Sequence, residues 1–158
     1  MKSNHGFTLI ELMVTIAVLA VIIGIAIPSF SNILLNNRIE SAAQDLYGGL
    51  QLARSEAVKR KEGVSVCRAN SAATGCQNGT DWSASWLIIT ADNEVLKLWE
   101  GGGGLSVTGP SQGLTFYASG MADAERDFQV TGSGCKNDQK RALKVIRLGT
   151  TSLRKTAC

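Results

Sequence analysis

The pattern of apolar and polar positions changes character twice along the chain. From Phe7 to Ile27 it reads FTLIELMVTIAVLAVIIGIAI, apolar on every side and interrupted by one charge, Glu11. A core helix of a soluble domain keeps a polar face, and this run has none. At about 1.5 Å per residue it spans roughly 32 Å, close to one hydrocarbon core. A secretory signal would have a shorter apolar region ending in small residues, whereas here Pro28-Ser29-Phe30 follows and the chain continues. The run therefore predicts a retained membrane helix. Lys2 in an acid-free leader predicts that the N-terminus stays in the cytoplasm, with the rest across the membrane.

Beyond Pro28 the apolar residues return at three- and four-residue steps. Leu35, Ile39, Ala43, Leu46, Leu50, Ala53 and Ala57 define one helix face, and charged residues from Arg38 to Arg60 occupy much of the remainder. The helix is expected to end near Lys61-Glu62-Gly63, with Gly63 as its cap. Pro28 and the Gly48-Gly49 pair are expected places for a kink or a break.

After Gly63 the pattern becomes short alternating runs between Gly, Ser, Asn and Asp. Val64–Cys67, Trp86–Thr90, Val95–Trp99, Leu114–Tyr117, Phe128–Thr131 and Ala142–Leu148 read as strands, the second and third joined at Asp92-Asn93. The fold class is therefore α+β, a long N-terminal helix with its second half packed on antiparallel sheet. The expected segments are 1–6 leader, 7–27 membrane helix, 28–62 amphipathic helix and 63–158 β-rich domain.

Composition narrows the chemistry. The chain's 158 residues hold one histidine, His5, inside the expected leader. If those first residues are removed in the mature protein, no imidazole base or ligand remains. No nucleophile–base pair or metal cluster is visible, so no catalytic residue, metal or cofactor is expected, and no small-molecule substrate. Gly101–Gly104 lacks the Lys-Ser/Thr of a phosphate loop and reads as a connector. Trp82, Trp86 and Trp99 are expected in the helix–sheet core and its rim.

Cys67, Cys76, Cys135 and Cys158 form no Cys-x-x-Cys pair. An even count on the far side of the membrane reads as two disulfides. Three pairings are open, and the sequence-local one, Cys67–Cys76 with Cys135–Cys158, is the expected choice. The net charge of +3 conceals a local feature: between Cys135 and Cys158 lie seven basic residues against Asp138 alone. Phosphates would meet Lys140, Arg141, Lys144, Arg147, Arg154 and Lys155 if such a tail bound DNA.

Gly6-Phe7-Thr8-Leu9-Ile10-Glu11 followed by an apolar helix resembles the class III leader of type IV pilins and type II secretion pseudopilins. That resemblance implies cleavage after Gly6 by a prepilin peptidase, N-methylation of Phe7, and pairing of Glu11 with the N-terminal amine of a neighbouring subunit. Asn37-Arg38, the stretch from Ala53-Arg54-Ser55-Glu56 to Arg60, the cysteine after the first strand, the strand at Trp86 and the closing cysteine resemble the GspH/FimT/FimU group. The group implies a type IV pilin-like fold and a non-enzymatic minor pilin near a pilus tip that helps prime assembly. Its implied partners are other minor and major pilins or pseudopilins and the bacterial inner membrane, with the C-terminal domain periplasmic. Two alternatives go with it: the type II secretion minor pseudopilin H, and a FimT-like minor pilin that captures DNA for transformation. The Gly-Arg-x-Arg pattern of the latter is replaced here by Gly149-Thr150-Thr151-Ser152, with the next arginine at Arg154.

Overall fold

The computed structural model describes residues 7–158, except that for 25–29 it describes the backbone alone. The chain divides into two compact units, Met1–Leu35 and Asn36–Cys158. A helix, α1 (Leu9–Arg60), starts in the first and ends in the second. In the first unit the described side chains of the apolar run, among them Leu9, Ile10, Ile16 and Ile22, are exposed. Among the described residues no helix is long and apolar enough to cross a membrane. Described side chains in the run stop at Gly24, short of Ile27.

The second unit contains eight strands. They are β1 (Val64–Arg68), β2 (Ser85–Thr90), β3 (Val95–Glu100), β4 (Leu105–Thr108), β5 (Leu114–Phe116), β6 (Arg126–Gly132), β7 (Lys140–Val145) and β8 (Thr151–Thr156). They form two four-stranded sheets, in the orders β3-β2-β1-β5 and β4-β6-β7-β8, with every pairing antiparallel.

The apolar row read from the sequence is the helix face that the core covers. Ile39, Ala43, Leu46, Leu50, Ala53 and Ala57 are fully buried. They share the core with Val64, Val66, Ile88 and Phe116 of the first sheet and Phe128, Val130, Leu143 and Val145 of the second. A smaller cluster of Cys67, Ala69, Leu87 and Ile89, flanked by Val95 and Leu98, occupies the other face of the first sheet. The two clusters follow from strand alternation, because Val66 pairs with Ile88 and Cys67 with Leu87.

Three local expectations are corrected. The helix is assigned without interruption through Gly48 and Gly49. Gly49 serves a close approach instead, since a Cβ on it would come within 2.6 Å of the Trp86 ring. Trp86 in turn stacks on Trp99, ring centroids 4.0 Å apart. The helix cap is Lys61 rather than Gly63: Lys61 takes φ 60°, and the Glu62 N–H donates to the Ala57 carbonyl at 3.3 Å. That backward bond is how a helix end satisfies its last carbonyls. Finally, the strand expected over Ala142–Leu148 stops at Val145, and a turn at Ile146–Thr150 leads into β8.

Candidate functional site

Three places carry the residues with chemistry to offer: the helix start, the two disulfides and the basic strands β7 and β8. Gly6 lies outside the described residues. Phe7 is exposed, and Thr8 and Glu11 form a reciprocal pair at the start of α1. The Glu11 N–H donates to Thr8 Oγ1 at 3.3 Å, while the Thr8 N–H donates to Glu11 Oε2 at 3.4 Å. Thr-x-x-Glu ahead of an apolar run is a capping box, which supplies partners to N–H groups that a helix start leaves without them. The acid singled out from the sequence thus has a partner inside its own chain, and the Thr8–Glu11 spacing was the signal for it.

Cys67 is bonded to Cys76, Cα atoms 5.6 Å apart, and Cys135 to Cys158, Cα atoms 5.9 Å apart. The first bond closes the segment just after β1. The second ties Cys158, two residues past the end of β8, back to the β6–β7 connection, where the Cys158 N–H also donates to the Asn137 carbonyl at 2.9 Å.

The sheet splits the six basic residues considered for DNA. Directly opposed residues share a face, and the register pairs Arg141 with Lys155 and Ala142 with Arg154. Arg141 and Lys155 therefore lie on the side facing α1. Lys140, Lys144 and Arg154 lie on the outer side, and Arg147 sits in the β7–β8 turn. The outer side is not purely basic. Lys144 pairs with Glu125, stands opposite Asp127, and has its pKa raised first by the Glu125 hydrogen bond.

Arg141 is withdrawn from any DNA surface. It is 1% exposed and reaches back to the helix, where its Nε donates to Glu40 Oε2 at 2.5 Å and its Nη2 to Asn36 Oδ1 at 3.0 Å. Its Nη1 donates to the carbonyls of Asp138 and Gln139 at 3.0 and 2.8 Å. The guanidinium, followed by the Gln44 amide, holds the Glu40 carboxyl below the usual glutamate range. One arginine thus fastens the start of β7 and the loop before it to α1. A second such fastening was also missed from the sequence. Arg54 donates from Nε to the Gly120 carbonyl at 2.9 Å and from Nη2 to the Leu148 carbonyl at 3.1 Å. Neither partner is signalled by local spacing.

The chain is similar to several known proteins. Residues 42–150 match the family model of the type II transport protein GspH, and residues 1–27 match the prokaryotic N-terminal methylation motif. The chain is 32% identical over 101 residues to the type II secretion system protein H of Pseudomonas aeruginosa, a match covering 63% of this chain and 57% of that relative. The fold is similar to the crystal structure of the type IV minor pilin FimU of Pseudomonas aeruginosa. There the TM-score is 0.57 and identity 30%, over 73% of this chain and 91% of that one. The minor pseudopilin EpsH of Vibrio cholerae has a similar fold as well, with TM-score 0.52 and 19% identity over 75% of this chain and 95% of that one. The α+β pilin-like fold and a family match running from Ala42 on α1 to the turn after β7 lead to one conclusion: the chain belongs to the GspH family of minor pilins and pseudopilins.

Proposed function

We propose that the chain is a minor pilin of a type IV pilus, incorporated near the fibre tip, where it helps to prime assembly. The observation that carries this reading is the likeness to FimU, 30% identical over 91% of that chain. In this reading residues 7–27 hold the subunit in the inner membrane with the second unit in the periplasm. A prepilin peptidase cuts after Gly6, Phe7 is methylated, and Glu11 exchanges its own Thr8 for the amine of a neighbouring subunit. A carboxylate and an ammonium are costly to bury singly and tolerable as a pair, which lets the pair set axial register. The capping box lets Glu11 keep partners before that exchange.

A second reading is the minor pseudopilin H of a type II secretion system, favoured by the 32% identity to that protein. Deleting the chain from its own host separates the two. The pilus reading predicts fewer surface fibres with protein secretion unchanged, restored by the wild-type chain and not by Glu11→Ala. Normal piliation with lost secretion would establish the second reading instead.

A further inference from the structure

Outside the N-terminal part of α1, the large apolar side chains left exposed are few, and they gather in one place. Among the described residues they are Val58 (49% exposed), Tyr117 (51%), Met121 (44%), Ile146 (37%) and Leu148 (64%). Val58 is in the last turn of α1, Tyr117 and Met121 in the turn after β5, and Ile146 and Leu148 in the β7–β8 turn. The two turns abut, because a Cβ on Gly149 would lie 2.0 Å from the Gly120 carbonyl oxygen. The Ala122 N–H donates to the Arg147 carbonyl at 2.9 Å, and Arg54 clasps both turns through Gly120 and Leu148. Val58 closes the group, with its Cγ2 3.2 Å from where a Gly120 Cβ would stand.

Single exposed apolar residues call for no explanation, whereas apolar residues gathered on one surface and rimmed by polar ones are the pattern of an interaction site. Both turns are closed by their own backbone bonds (Gly120 to Tyr117 and Gly149 to Ile146). A surface already held in its binding shape loses little entropy on association. Arg147 is exposed between Ile146 and Leu148 in the chain and makes no ion pair among the described residues. The nearby acid Asp123 is taken by Arg126.

We propose that Val58, Tyr117, Met121, Ile146 and Leu148, with Arg147 among them, form the docking surface for a neighbouring subunit that presents apolar side chains around a carboxylate. The inference rests on the fibre-subunit reading and names a contact surface for it. Tyr, Met and Arg are among the residues enriched at protein interfaces. The carboxylate is called for by Arg147, which would otherwise be covered without a partner.

The test uses the full chain in cells that assemble the fibre, with a photocrosslinking phenylalanine analogue at Leu148 or Tyr117 and, as a control, at Gln129 on the outer face of the second sheet. The expected product joins Leu148 and Tyr117, but not Gln129, to one other fibre subunit, at a segment containing Asp or Glu. Arg147→Glu should lower its yield about tenfold, and Arg147→Lys should restore most of it. Fibres that contain the chain but yield no adduct, an adduct with a second copy of this chain, a lipid adduct, or equal labelling from Gln129 would overturn the inference and leave the fibre reading intact. A chain absent from fibres would overturn both.

Discussion

Arg141 is as buried as the apolar core, and its guanidinium is met there by Glu40, Asn36 and the carbonyls of Asp138 and Gln139. Arg141→Ala would leave those carbonyls without their donor and Glu40 with the Gln44 amide alone, and should destabilise the protein by about 3 kcal/mol in denaturant unfolding. A loss under about 1 kcal/mol would contradict the fastening role. The same cluster sets a pH dependence. Glu40 has a lowered pKa in the folded chain, so its contribution is fully present above the unfolded value and is lost as pH falls through the folded one. Stability should therefore decline as pH drops below about 4.3, and Glu40→Gln should make that decline shallower. Equal slopes in the two proteins would contradict the assignment. The glycine pair gives a sharper contrast, because both positions are helical but only Gly49 has the Trp86 ring against it. Gly48→Ala should stabilise by up to about 1 kcal/mol, and Gly49→Ala should destabilise by about 1–3 kcal/mol. Two stabilising substitutions would mean that the Trp86 contact does not govern Gly49.

At the scale of elements, the strand most in need of support is β8. It is an edge strand, paired on one side with β7, and its sequence TSLRKT is too polar to signal a strand. That is why β8 was not legible, whereas β2, buried at nearly every position, was. β4 was missed for a related reason: it is four residues long and follows directly on four glycines. The helix face, by contrast, was legible residue by residue, since one periodic surface meets one core. Arg141–Glu40 joins positions 101 residues apart and Arg54–Leu148 positions 94 apart, so only the assembled fold could show them. The Cys135–Cys158 bond holds the free end of β8. Replacing both cysteines with serine should cost about 3 kcal/mol. It should also raise amide exchange in β8 before β7, because an edge strand without its tether frays first. Simultaneous exposure of the two strands would show that β8 does not depend on the tether.

At the scale of the whole molecule, the distribution of charge limits what the basic end can do. Lys140, Lys144 and Arg154 share the outer face of the second sheet, Lys155 lies on the other side, and Arg141 is buried. Each neutralised phosphate contributes about −0.9 to the slope of log affinity against log salt, so duplex DNA engaging that face should give a slope no steeper than about −3. A slope near −6 in a salt series of gel shifts would mean that all six cations engage and that the face assignment is wrong. The central claim, a fibre subunit processed at its N-terminus, is tested most directly by mass spectrometry of fibres sheared from the host that makes them. Those fibres should contain this chain as a minor component, beginning at Phe7 and carrying an N-methyl group. Its absence from the fibres, or its presence with residues 1–6 still attached, would contradict the account.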